Sequence, residues 1–569
     1  MADAFPPRTG NTPMDRILKI LRLDRDEIFS VYLYAVLSGL IQLSLPLGIQ
    51  SIISFVLGGS ISTSLVILIV LVVLGVFFTG MVQIKQMRII EKVQQKLFVR
   101  YAFEYAYRIP RLDLKKIDSL YLPETVNRFM DTMALQKGIS KLLLEFPTAT
   151  IQIFFGLILL SFYHPFFIAF SFLVLALVIA ILYYTGARGL QTSIVESDYK
   201  YGVVAWLEEL ARVVSSFKFA KVDTLNLQRT DGLVSGYIEA RTGHFRILQF
   251  QYWILVFLKV VITAIMLIVG SFLLIDQQLN LGQFIAAEIV ILLVLNSVEK
   301  LIINLDKVYD VLTSVEKLSK IVDKPMEPNG EVPVPESSEG MRVTLKGVGM
   351  SFADKPVLRD VDFEVAPGTK VAVIGKDGSG KSTLLRLMSG MYSEHSGLIM
   401  IDNIPMSDYV SSSYRRQTGM LLSQQDIFQG TLLENITMGD EDIHPGEVIA
   451  LIQKIGLEDF LKDNNFSFST VLDPLGRRLS RSVVQKILLL RALINDPRLL
   501  LLEEPWRGMD TTNRARVIEY LLKGSGKTTV FVESNDRDFA SQADRILYFR
   551  QGRLMYDGPW QEGIMIEEE

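Results

Sequence analysis

The residues whose types and spacing most directly imply chemistry are Gly375-Lys376-Asp377-Gly378-Ser379-Gly380-Lys381-Ser382, which have the form GxxxxGK[ST]. An apolar run, Lys370–Ile374, precedes them and a helical run, Thr383–Met388, follows, so strand, glycine loop and helix stand in the order a phosphate-binding loop requires. Glycines let backbone N–H groups close around phosphate oxygens, and the helix start at Thr383 adds partial positive charge. Lys381 is then placed to reach the β- and γ-phosphates and Ser382 to supply a Mg2+ ligand. Farther on, Leu499–Leu502 reads as a buried strand that ends in two carboxylates, Glu503 and Glu504. A strand end of this kind supports a metal and polarises an attacking water, roles expected of Glu503 and Glu504 respectively. ATP and Mg2+ are therefore the expected ligands.

The elements that must position these groups belong to a chain of 569 residues, too long for one compact core. Long apolar stretches such as Leu65–Phe78 and Leu255–Ile275 fill the first part, whereas short apolar runs mixed with charge and glycine fill the last. Six stretches are long enough to cross a bilayer as helices, at 28–57, 61–84, 144–162, 165–186, 251–275 and 282–304. The segment 85–143 holds 12 Lys or Arg and 187–250 holds 8, while the turns at Gly58–Ser60, His164–Pro165 and Asp276–Asn280 hold none. That asymmetry puts both basic segments and both termini on the cytoplasmic side. Residues Met14–Leu23 suit a short helix on the inner membrane surface.

Both cytoplasmic segments keep helical periodicity past the membrane edge, so short coupling elements are expected near Leu112–Tyr121 and Tyr199–Trp206. Within the spans, Lys259, Glu288 and Glu145 are charged, and the different depths of Lys259 and Glu288 argue against a direct pair between them. Gln42, Ser44, Pro46 and Gln50 in span one fit either a polar pathway or packing between helices around a proline kink. A net charge of −4 without an isolated basic block excludes nucleic-acid binding. With no cysteine, disulfides and thiolate metal sites are excluded, and four scattered histidines argue against a zinc site. Residues 323–340, rich in Pro, Gly, Ser and acid, mark a boundary. The expected division is a transmembrane domain over 1–325, a linker over 326–340 and an ATP-binding domain over 341–569.

In this order of parts the chain resembles an ABC exporter half, an all-α six-helix transmembrane domain joined to an α/β P-loop nucleotide-binding domain. Leu479-Ser480-Arg481-Ser482-Val483-Val484-Gln485-Lys486 resembles the family's LSGGQ segment, and Phe428-Gln429-Gly430-Thr431 the stretch after its Q-loop. Ala543-Asp544-Arg545-Ile546 resembles its late strands. The resemblance implies that Phe352 stacks on adenine and that Ser480, Arg481 and Ser482 face a nucleotide held by a partner chain. Four positions depart from the family pattern. Glu503 replaces an aspartate, Arg481 and Ser482 replace two glycines, Asn535 stands for the switch histidine, and Ser423, beside Gln424 and Gln425, stands for the Q-loop glutamine.

Head-to-tail pairing in that family implies a homodimer or a heterodimer with another half-transporter in the cytoplasmic membrane. The nearest style is bacterial type I secretion and peptide export, with a periplasmic adaptor as a candidate partner. A leader-cleaving exporter is not expected, since no peptidase-like stretch precedes the spans. Two functions follow: ATP-driven export of peptide, protein, lipid or drug, or an ATP-binding regulatory or assembly subunit with little hydrolysis.

Overall fold

The computed structural model describes residues 12–59, 63–117, 121–221, 224–353, 355–423 and 425–562. The chain divides into two units, Met1–Pro110 with Leu120–Lys324 and Arg111–Ser119 with Pro325–Glu569.

Among the described residues the first unit contains six helical segments long and apolar enough to cross a membrane: Arg25–Leu57, Thr63–Arg111, Leu122–Ser161, Pro165–Arg212, Leu225–Ile275 and Leu281–Val322. They are numbered here as spans one to six. The continuous helices of spans two, four and five have 46, 48 and 51 residues. At about 1.5 Å per residue they reach roughly 70 Å or more, over twice the hydrocarbon thickness. Outward faces are apolar, with Val70, Val73, Phe77, Phe172 and Phe257 all exposed, the pattern of a surface solvated by lipid.

Span one is two helices, Arg25–Gln42 and Ser44–Leu57, meeting at Leu43. Pro46 lacks the N–H that would bond the Gln42 carbonyl, which accounts for the break. The polar residues of this span are engaged between helices. Gln152 donates to Gln42 and accepts from Ser297 at 2.7 Å, and Tyr163 donates to Gln50 at 2.7 Å. Interhelical bonding therefore explains Gln42 and Gln50 better than a pathway does. Lys259 is paired, with Glu299 at 2.5 Å, and Glu145 accepts from Asn304. Close helix approach depends on small residues: a Cβ on Gly189 would lie 2.3 Å from the Tyr309 ring and one on Gly138 2.2 Å from Val311.

The second coupling element departs from the sequence expectation. Tyr199–Trp206 lies inside the helix of span four, where Tyr201 and Trp206 are buried and Trp206 donates to Thr230 of span five at 3.0 Å. Packing between the two long helices carries the periodicity through this stretch, and the turn falls later, around a short helix at Val214–Lys218. Of the first element, 118–120 lie outside the described residues, as do 61 and 62 at the expected start of span two.

In the second unit, β1 (Val343–Phe352) pairs antiparallel with β2 (Lys355–Val365) and with β4 (Ser396–Ile401), whose outer edge carries the two-residue strand Ile404–Pro405. The larger sheet contains β3 (Lys370–Ile374), β5 (Thr418–Leu421), β6 (Leu499–Glu503), β7 (Thr529–Glu533), β8 (Arg545–Arg550) and β9 (Arg553–Gly558) in the order β9-β8-β3-β7-β6-β5. Strands β3, β6 and β7 are buried at every position, as parallel strands covered on both faces must be. The stretch 326–340 is irregular, as expected of a linker, but it is fastened to this unit. Arg415 makes two bonds to Glu327 at 2.8 and 2.6 Å, and Arg498 donates to the Glu339 carbonyl at 2.6 Å. Residues 111–117 also pack here, where Ser393 donates to Asp113 at 2.8 Å and Lys115 to the Glu394 carbonyl at 2.9 Å.

Candidate functional site

Parallel strands β3, β7 and β6 bring their C-terminal ends to one edge, the usual place for a ligand in an open α/β sheet. From β3 the chain enters the glycine loop and then α1 (Lys381–Met388). The loop needs its glycines: Gly375 has φ +143° and a Cβ there would meet the Phe549 carbonyl at 2.2 Å, while Gly380 has φ +102°. Lys376, Asp377 and Gly378 form the exposed turn, Ser379 bonds back through its N–H to the Lys376 carbonyl at 3.1 Å, and Thr383 lies in the first turn of α1.

Lys381 is 6% exposed and donates to the carbonyls of Gly375 at 2.6 Å and Lys376 at 3.0 Å. Its ammonium is thus held across the mouth of the loop. The Ser379 hydroxyl is buried without a hydrogen-bond partner, an unfilled polar group that a phosphate oxygen would satisfy.

Opposite the loop stand three carboxylates, one more than the sequence reading assigned. Glu503 ends β6 and Glu533 ends β7, and the two are directly in register, so they project to the same face. Glu533 Oε1 accepts from the Ser382 hydroxyl at 3.1 Å and lies 3.9 Å from the Lys381 ammonium, while its Oε2 is buried without a partner. Burial pushes the Glu533 carboxyl up to about 7, opposed by the Ser382 hydrogen bond and reinforced by the charge of Glu503. Glu503 is engaged elsewhere: its Oε2 accepts from the Ser423 N–H at 2.9 Å and lies 3.8 Å from the Arg386 guanidinium.

Glu504 turns the chain sharply, with φ +44°, an uncommon conformation for a residue with a Cβ. Its N–H donates to the Glu533 carbonyl at 2.9 Å and its carbonyl accepts from Gln485 at 2.9 Å, which hold the bend. Burial raises the Glu504 carboxyl above its ordinary range, against a hydrogen bond from Ser534 and with Asp536 adding to the rise. A carboxylate so placed is suited to accept a proton from water.

Asn535 braces the loop at both polar atoms, accepting from the Gly375 N–H at 3.1 Å and donating to the Gly375 carbonyl at 3.2 Å. Ser423 receives Arg386 on its hydroxyl at 3.4 Å. Gln424 lies outside the described residues, and Gln425 turns back to accept from the Leu422 N–H at 3.3 Å. Phe352, at the end of β1, is half-buried and meets Tyr392 edge to face at 5.5 Å. Ser480 caps α2 (Arg481–Leu493), accepting from the Val483 N–H at 3.3 Å, with Arg481 exposed at the helix start and Ser482 beside it.

Sequence reading missed Glu533 and Arg386. The signal for Glu533 was present: Thr529–Val532 followed by Glu repeats the pattern of an apolar run ending in acid already seen at Leu499–Glu503. Oxygen donors at Ser382, Glu533 and Glu503 fit a hard divalent cation, and the buried, unpartnered Oε2 of Glu533 is an oxygen that a cation would satisfy.

Residues 358–507 match the family model described as ABC transporter. Among curated proteins, the chain is 29% identical over 309 residues to the lactococcin-G-processing and transport ATP-binding protein LagD of Lactococcus lactis subsp. lactis, covering 54% of this chain and 44% of that protein. It is 29% identical over 290 residues to an ATP-dependent lipid A-core flippase of Xanthomonas campestris, covering 50% and 49%. The leukotoxin export ATP-binding protein LtxB of Aggregatibacter actinomycetemcomitans is 26% identical over 310 residues, covering 54% and 44%. The chain thus spans about half the length of the curated relatives it matches. Among solved structures, a bacterial Atm1-family ABC exporter with ATP bound superposes with a TM-score of 0.82 at 18% identity, covering 96% of both chains.

Proposed function

From the premise that this chain has the ABC exporter fold, with six candidate membrane helices ahead of an ABC transporter ATP-binding domain, we propose that it is one half of an ATP-driven exporter. The observation that carries the reading is the convergence of the Gly375–Ser382 loop with Glu503, Glu504 and Glu533 at one sheet edge. Loop N–H groups and Lys381 bind the triphosphate, and Phe352 offers an aromatic face to the base. Ser382 and a facing carboxylate would hold Mg2+, which would offset the charge of the triphosphate. Glu504 orients water and takes its proton, and Asn535 keeps the loop in shape.

Two copies, or this chain with a second half-transporter, complete the machine, each presenting Ser480, Arg481 and Ser482 to the other's nucleotide. The basic segments 85–143 and 187–250 favour a cytoplasmic membrane with both termini inside. Relatives named for lactococcin-G transport, lipid A-core flipping and leukotoxin export favour peptide, lipid or protein cargo over a drug, and a periplasmic adaptor is a further partner to test by crosslinking.

The experiment is ATP hydrolysis by the full chain in lipid, compared with Glu504→Gln. A fall of about a hundredfold or more is expected, because a lost, well-placed catalytic group costs several kcal/mol. Equal rates would remove hydrolysis from this chain and leave a nucleotide-binding subunit.

A further inference from the structure

In an arrangement with one carboxylate beside the loop, the acid at the end of β6 would serve the metal. Here that acid, Glu503, is occupied by the Ser423 N–H at 2.9 Å and faces the Arg386 guanidinium at 3.8 Å. That hydrogen bond turns the Oε2 of Glu503 toward Ser423. Glu533, one strand nearer the loop, is the carboxylate that touches the metal-binding hydroxyl of Ser382, at 3.1 Å. Its second oxygen is buried and accepts no hydrogen bond. A buried carboxylate oxygen without a donor is costly unless a cation or donor completes it. The nearest cation, the Lys381 ammonium at 3.9 Å, is directed by its two short bonds toward the loop carbonyls instead.

We infer that Glu533, together with Ser382, is the carboxylate ligand of the divalent cation in this chain, and that Glu503 serves as a positioning residue, holding the Ser423 segment and Arg386. This rests on the reading that the loop binds a nucleoside triphosphate with its metal. Strand order supports it: β7 lies between β3 and β6, so a side chain at its end is closer to the loop than one at the end of β6. The Ser423 hydroxyl is itself taken by Arg386 at 3.4 Å.

The test is Mn2+ affinity, measured by electron paramagnetic resonance on the full chain in lipid with a non-hydrolysable ATP analogue, for the unmodified protein, Glu533→Gln and Glu503→Gln. Analogue binding in EDTA is measured alongside as the control for folding and for the nucleotide site. Glu533→Gln is expected to weaken Mn2+ tenfold or more, and Glu503→Gln less than threefold, with metal-free analogue binding retained in both. Mn2+ affinity within twofold of the unmodified protein in Glu533→Gln, or a larger loss in Glu503→Gln, would overturn the assignment while leaving nucleotide binding in place. No analogue binding by the unmodified protein would overturn the assignment together with the functional reading beneath it.

Discussion

The glycine loop and the carboxylate edge that faces it follow different rules. In the loop, backbone geometry shapes the site: Gly375 and Gly380 adopt conformations that residues with a Cβ rarely take, and Asn535 bonds both backbone groups of Gly375. Across from it, side chains shape the edge, and their roles can be redistributed among neighbours. Glu503 has turned to Ser423 and Arg386, and Glu533 has taken the position against Ser382. A backbone site tolerates little substitution, whereas a side-chain site can move by one strand within the same sheet. That difference explains how an intact loop coexists with an altered edge.

The largest effect that sharpens this contrast is expected from Gly375→Ala. Its Cβ would sit 2.2 Å from the Phe549 carbonyl and the residue would be held at φ +143°, a backbone clash and a strained conformation that together should cost about 3 kcal/mol. Loss of nucleotide binding by a hundredfold or more, read by fluorescence titration, is expected; near-normal affinity would break the claim that backbone shape governs the loop.

Next in size is a pH effect on the opposite edge. Glu533 keeps its proton up to about 7 in the folded protein, against an ordinary value of 4.5. Stability from the neutral form is complete below pH 4.5 and is lost as pH rises through 7, at most about 3 kcal/mol in all. In EDTA, the unmodified protein should therefore lose melting temperature between pH 5 and 7.5 relative to Glu533→Gln. Parallel curves would show that burial does not hold this proton.

Asn535→Ala removes two hydrogen bonds to one glycine, each worth about 1 kcal/mol. Nucleotide affinity should fall roughly five- to thirtyfold, and a histidine at the same position, able to bond only in part, should recover some of it. Smallest is Arg386→Gln, which loosens a contact at 3.8 Å to Glu503 and should change stability by about 1 kcal/mol or less in thermal melts.

The fold and the loop were legible in the sequence for physical reasons. Spans show as long apolar runs because lipid leaves a helix no other way to satisfy its backbone, and Gly375–Ser382 shows because the cradle needs those residue types at that spacing. Helix length beyond the membrane is harder to read: Tyr199–Trp206 is expected as a short coupling element, but Trp206 packs against span five and the helix continues to Arg212. The redistribution at the carboxylate edge was illegible because it depends on which strands are neighbours. Glu533 and Glu503 lie 30 positions apart in the chain and are in register only once β6 and β7 pair. Arg386 is an ordinary helix residue until Glu503 turns toward it.

Nucleotide binding by Lys381→Ala, set beside the unmodified chain in the same lipid, tests the central claim most directly. The ammonium that spans the loop mouth is removed while the glycines stay, so affinity for ATP should drop by about a hundredfold, as expected when a charge-assisted contact to phosphate is lost together with its positioning. Equal affinity in the two proteins would contradict the assignment of this loop as the ATP site.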